Sequence, residues 1–135
     1  MNRFSTAEKE YMRSQRLGRL ATVNAVGEPH VIPVSFRHNE ELDVIEIGGR
    51  WMNGSKKFRD ILHNPNVAFV IDDVLPPWKP RFLEIRGKAE QVFEGGESFG
   101  TGFAPEMIRI SPRRIISGGI EPDATPYAPS SRNVK

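Results

Sequence analysis

The sequence has no cysteine among its 135 residues. That excludes disulfides, thiolate metal sites, iron–sulfur clusters and cysteine nucleophiles, and it suits a reducing cytoplasm. Long apolar runs are missing as well. The longest is Val67 to Ile71, far short of the ~20 residues a membrane-spanning helix needs. The first sixteen residues carry Arg3, Glu8, Lys9, Glu10, Arg13 and Arg16 with no apolar block behind them, so no secretory signal is expected. Excess charge is also missing, since nineteen basic against seventeen acidic side chains leave +2. A balance so close to neutral argues against a nucleic-acid or general polyanion binder, though not against a local anion site. What remains is a chain of one domain's length with 38% hydrophobic and 27% charged residues, ordinary globular usage.

Ser5 and Glu8 have capping-box spacing, which predicts a helix over roughly 6 to 16. Strands are expected at Leu17 to Val23, His30 to Arg37, Leu42 to Ile47, Val67 to Ile71, Leu83 to Glu90, and Met107 to Ser117 with an interruption at Pro112. Pro33 cannot donate to a ladder, so the second strand has an edge, a bulge or an opening there. A second helix runs from Ser55 to the Asn64-Pro65 stop, with Phe58, Ile61 and Leu62 as its apolar stripe. Val74 to Pro80 is too proline-rich to be regular, Gly95 to Gly102 reads as a mobile hairpin, and 120–135 reads as a disordered tail behind a domain of residues 1–119. Short strands with turn connections suggest antiparallel pairing, and six of them with few helices bury most apolar area by closing into a small barrel.

The segment Arg50 to Arg59 has four basic residues and no acid before Asp60. Ser55 is the natural N-cap of the second helix, which places Lys56 and Lys57 in its first turn. The helix dipole is positive there, so each cation costs about 0.3–1 kcal/mol where an acid would help. Either the two lysines simply point into water, or free amides, a hydroxyl and two ammonium groups converge as a socket for an anion, preferably a phosphate. Other sites are poorly supported. His30, His38 and His63 are separated in sequence, no metal-binding spacing occurs, and no serine lies in a nucleophile elbow. Trp51 and Trp78 fall in loops, as lids on the core or as planar surfaces against a flat ring. Arg109, Arg113 and Arg114 read as outward residues of a surface strand, and Asp72-Asp73 as a solvated strand end. No side chain is singled out as catalytic.

The segments GRLATVNAVGEPHVIPVSF (18–36), IEIGG (45–49) and SKKFRDILHNPNVAFVID (55–72) resemble the pyridoxamine 5′-phosphate oxidase-like split barrels. Within them the chain is most similar to the small single-domain proteins that use the deazaflavin F420. The resemblance spans Phe4 to Gly119. It implies a mainly β (α+β) fold, a six-stranded antiparallel split barrel of the FMN-binding type, and a homodimer with the cofactor in a groove between protomers. The family's Ser-Arg-Lys phosphate motif falls on Ser55, Lys56 and Lys57. Its cofactor-contacting backbone falls on Ile32, Pro33 and Val34 and on Ile47, Gly48 and Gly49, where the glycines would admit a close ring. Arg50, Arg59 and Lys79 are candidates for the anionic tail of F420, and Trp78 for a further cofactor contact. The chain lacks the tryptophan-and-arginine C-terminal segment of true pyridoxamine phosphate oxidases. The implied activity is F420-dependent hydride transfer to or from a small conjugated organic substrate. FMN as the cofactor, or a carrier without turnover, are the alternatives.

Overall fold

The computed structural model describes residues 3–122 and 128–135. Helix α1 spans Thr6–Ser14. The Ser5 hydroxyl accepts the Glu8 amide at 3.1 Å, and the Ser5 amide donates to the Glu8 carboxylate at 2.8 Å, so the capping box forms as its spacing requires. The strands are β1 Leu17–Val23, β2 Pro29–Asn39, β3 Val44–Gly48, β4 Asn66–Leu75, β5 Lys79–Val92, β6 Met107–Gly118 and β7 Ser130–Asn133, with helix α2 at Lys56–His63 between β3 and β4. All pairings are antiparallel, in the order β3-β2-β1-β4-β5-β6-β7. A further β3–β6 ladder, Ile45 to Ile110 through Ile47 to Ile108, closes the first six strands into a barrel. Closure removes the unpaired edges that an open sheet of these strands would expose. Alternation does the rest: Leu20, Ile45, Ile47, Phe69, Ile71, Leu83, Ile85, Ile108, Ile110 and Ile115 all point inward and are fully buried.

The closure is incomplete at one place. β2 pairs with β1 along its first seven residues, Pro29 to Ser35, but with β3 only from Ser35 to Asn39. Its stretch 29–34 therefore has one strand neighbour. Pro33 sits in that stretch, where a residue without an amide hydrogen is tolerated. The second proline signal is also realised. Across β5 and β6, Arg86 faces Arg114 and Gly87 faces Pro112, so Arg113 is skipped and forms a β-bulge.

Three expectations need correction. The proline-rich segment is mostly strand: Val74 pairs with Pro80 and Leu75 with Lys79, leaving only Pro76 to Trp78 as the turn. The prolines lie at the tip of the hairpin, where few ladder amides are needed. The glycine-rich segment is not a free hairpin. It makes a 3₁₀ turn at Gly96–Phe99 and docks on the outer side of β3. Arg37 donates to the Ser98 hydroxyl at 2.6 Å and lies 4.1 Å over the Phe99 ring. The Ala104 amide donates to the Gly49 carbonyl at 2.9 Å. The tail is also not disordered at its end. β7 pairs with β6, and Arg114 holds Asn133 at 2.7 Å and Ser131 at 2.8 Å. Residues 123–127 of the expected tail lie outside the described residues.

Arg109, expected to face outward, and Asp73, expected to be solvated, both find partners. Glu46 is buried on the outside of β3, between Arg37 at 2.8 Å and Arg109 at 3.0 Å. Asp73 accepts from Arg81 at 2.6 Å and from the Tyr11 hydroxyl at 2.8 Å, which pins α1 to the β4–β5 hairpin.

Candidate functional site

Where β2 and β3 part, the register places Ser35 opposite Gly48. Ile32, Pro33 and Val34 lie on one side of that junction, and Ile47, Gly48 and Gly49 lie at it. The structure thus brings both backbone segments together at the open stretch of β2. Gly48 has a different reason from the one expected. A β-carbon there would stand 2.7 Å from the Phe99 ring. The space a side chain would need is already filled by the docked loop, and glycine is required for that packing.

The chain after β3 turns through a 3₁₀ segment, Met52–Gly54, into α2. Ser55 is its N-cap. The hydroxyl accepts the Phe58 amide at 3.4 Å and donates to the Met52 carbonyl at 2.7 Å. The two lysines that follow part ways. Lys56 reaches forward one turn to both oxygens of Asp60, at 3.2 Å each, and Asp60 also accepts the Thr22 hydroxyl of β1 at 2.8 Å. The expected pair of free ammonium groups is therefore reduced to one, because an i,i+4 carboxylate neutralises the first. Lys57 is half-buried and has no carboxylate or hydrogen-bond acceptor among the described residues, and burial pushes its ammonium pKa down. Arg59 donates only to the Gly54 carbonyl, at 3.4 Å. Arg50 donates to the Thr101 carbonyl at 3.3 Å and lies 5.5 Å over the Phe103 ring. Both remain without a carboxylate partner among the described residues.

Sequence reasoning missed His30. It stands on the open stretch of β2, directly opposite Thr22. Its Nδ1 is buried and has no hydrogen-bond partner. A buried polar atom left unpaired costs about 1–3 kcal/mol, so its partner is expected from outside the chain. The signal was present in the alternation of β2, where His30 occupies a position on the face otherwise held by Ile32, Val34 and Phe36. Through Thr22 and Asp60 it belongs to the same end of the barrel as the first turn of α2. An unpaired imidazole nitrogen, a half-buried ammonium without a counterion, and the Lys56 and Lys57 amides at the start of α2 are groups of the kind that bind a phosphate, and all belong to this end of the barrel.

Trp78 and Lys79 are not part of this constellation within one chain. They sit at the β4–β5 turn, and the ten residues of β4 separate that turn from the end of α2, about 33 Å of strand. Trp51, by contrast, lies in the turn before α2 and is 85% exposed. No three His, Asp or Glu side chains among the described residues gather so as to hold a metal ion. No helix among them is long and apolar enough to cross a membrane.

A closed, antiparallel six-stranded barrel with a split beside β2 and a helix N-terminus at that split defines the chain as a split-barrel protein. Residues 4–125 match the pyridoxamine 5′-phosphate oxidase family model, and the chain belongs to that family. It is 50% identical over 122 residues to a 5a,11a-dehydrotetracycline/5a,11a-dehydrooxytetracycline reductase of Streptomyces rimosus, covering 89% of this chain and 86% of that one. Among solved structures, it is similar to a conserved protein of Mycobacterium tuberculosis with TM-score 0.68, 21% identity and 84% of each chain covered. It is also similar to a FAD-binding protein of Mesorhizobium loti with TM-score 0.61 and 17% identity, covering 84% of this chain and 93% of that one. Those two likenesses concern the fold alone.

Proposed function

We propose that the protein is an oxidoreductase that uses F420 to reduce a conjugated carbon–carbon double bond in a small organic substrate. The observation that carries the cofactor reading is Lys57, a half-buried ammonium without a counterion, at the same end of the barrel as the unpaired Nδ1 of His30. The reductase reading is supported by the half-identical Streptomyces relative, whose name gives a dehydro compound as its substrate. A dehydro substrate takes up two electrons and two hydrogens: the π bond breaks, a hydride joins one carbon and a proton from water joins the other. When bound, the reduced deazaflavin supplies the hydride and is itself oxidised.

The chain's part is binding and placement. Lys57, His30 and the α2 amides hold the anionic end, with Arg50 and Arg59 at the rim for further negative charge. The backbone at Ile32, Pro33 and Val34 frames the ring, with Ile47 and Gly49 at its border. The protein works as a homodimer with this groove between protomers. Val31 supports that arrangement: it is an apolar residue 66% exposed on the outside of the barrel, on the stretch of β2 that has one strand neighbour. A cytoplasmic setting suits a sequence without cysteine.

The test is anaerobic stopped-flow mixing of the protein, loaded with reduced F420 or with reduced FMN, against a panel of enones and quinones. Cofactor oxidation above the protein-free rate with F420, and not with FMN, is the expected result. Oxidation with FMN alone would move the assignment to a flavin enzyme. Tight binding of F420 with no accelerated oxidation of any acceptor would leave a carrier.

A further inference from the structure

The outside of the barrel carries a cleft of about 570 Å³ across β1, β4, β5 and β6. Its floor is apolar, formed by Ala21, Val23 and Ala68, and its rim is Arg86, Lys88 and Arg113. No carboxylate lines it. Arg86 shares its charge with Glu84 at 2.7 Å. Lys88 and Arg113 have no carboxylate partner among the described residues.

The placement of these cations is built into the backbone. Arg86 and Lys88 are alternate residues of β5 and share one face, about 7 Å apart. Arg113 is the skipped residue of the β-bulge, released from the ladder between Arg86–Arg114 and Gly87–Pro112. The bulge is fixed from both strands. Pro112 cannot donate, and a β-carbon on Gly87 would stand 2.2 Å from the Ser111 carbonyl oxygen. Bulges re-aim a side chain, and here the result is a third cation on the rim of an apolar hollow. Like charges gathered this way repel unless a ligand neutralises them.

We infer that this cleft binds a small amphipathic organic anion, its apolar body on the Ala21–Val23–Ala68 floor and its carboxylate, sulfonate or phosphate groups on Lys88 and Arg113. For a separate metabolite the inference does not depend on the F420 reading; for a cofactor tail it rests on that reading. Two sources share this chemistry: a separate metabolite, or the glutamyl tail of a cofactor.

The probe is anilinonaphthalene sulfonate, an aromatic anion whose fluorescence rises in apolar surroundings, titrated into the whole protein at low salt. One site per chain is expected, with affinity at least tenfold weaker in Lys88→Gln/Arg113→Gln, while the thermal melt of that variant matches the wild type. Displacement of the dye by F420 but not by FMN would identify the cofactor tail as occupant, and displacement by neither a separate ligand. Equal dye affinity in wild type and variant would overturn the inference. So would displacement by FMN and F420 alike, which would place the dye in the cofactor groove, or loss of dye binding as protein concentration rises, which would mean that a second copy covers the cleft.

Discussion

Arg132 of β7 grips the carboxylate of Glu8 in α1 with two parallel hydrogen bonds, at 2.6 and 2.8 Å, across 124 residues of sequence. Glu8 is fully buried there, and the same carboxylate closes the capping box on the Ser5 amide. Two parallel bonds to a buried carboxylate are the strong form of this contact. Truncating the arginine strands a charge that water cannot reach. Arg132→Ala is expected to cost about 2–3 kcal/mol, read as a lower urea midpoint. Adding Glu8→Gln, which keeps the cap and removes the charge, should recover part of the loss. An unchanged midpoint for Arg132→Ala would mean that the Arg132–Glu8 pair contributes nothing to stability.

Lys56 and Lys57 are adjacent, yet opposite outcomes are expected for them. Lys57→Ala removes a half-buried ammonium that burial disfavours. A base with a depressed folded pKa destabilises the folded state at neutral pH, because the unfolded chain binds the proton more tightly. The variant should therefore be at least as stable as wild type, while its cofactor affinity falls by roughly 1.5–3 kcal/mol, the value of a charged hydrogen bond. Lys56→Ala should instead lower stability and affect the cofactor little, since its ammonium serves Asp60. Calorimetric titration of both variants, with melts alongside, separates the two roles. Equal cofactor affinity in Lys57→Ala and wild type would remove Lys57 from the site.

The local devices were legible in the sequence because each depends on near neighbours. Ser5 and Glu8 gave the capping box, Pro33 the open stretch of β2, and Pro112 the interruption of β6. The Lys56–Asp60 pair was legible too, since four residues of helix separate the partners, but the run of basic residues drew attention away from it. What could not be read was set by distant partners. Ser130–Asn133 has neither alternation nor apolar residues, and it becomes a strand because Arg114 and Glu8 supply its contacts. The glycine-rich loop is ordered by Arg37 and Gly48, which belong to other strands. His30 looked isolated because its neighbourhood is made by Thr22 and Asp60 only after folding.

Gly48 tests the docked loop directly. Adding a methyl group there drives it into the Phe99 ring, which stands 2.7 Å from its position. Gly48→Ala should cost about 1–3 kcal/mol, as overpacking does, and should expose residues 95–102 to limited proteolysis. Phe99→Leu combined with Gly48→Ala should restore protection by making room. If Gly48→Ala alone resists proteolysis as the wild type does, the glycine serves something other than this packing.

Acid should weaken the protein through its buried carboxylates, and Glu46 is the clearest. Burial by itself would raise its carboxyl pKa, but hydrogen bonds from Asn39, Arg37 and Arg109 outweigh that and hold it below the ordinary range. Asp60 is likewise lowered against its burial, by Thr22 and Lys56. For Asp73 the hydrogen bond from Arg81 dominates over burial and lowers it too. A carboxyl group lowered in the folded state is protonated first in the unfolded chain, so acid favours unfolding. Their contribution is fully present above the unfolded carboxyl pKa, about 4, and is lost as pH falls through the lower folded values. Urea midpoints should be nearly level between about pH 7 and 5 and fall steadily below about pH 4. Glu46→Gln should lower the plateau, because Arg37 and Arg109 lose their counterion, and should make the acid slope shallower by removing one proton from the linkage. An acid slope identical in Glu46→Gln and wild type would show that this carboxylate titrates alike in both states, and that its two arginines do not set its pKa.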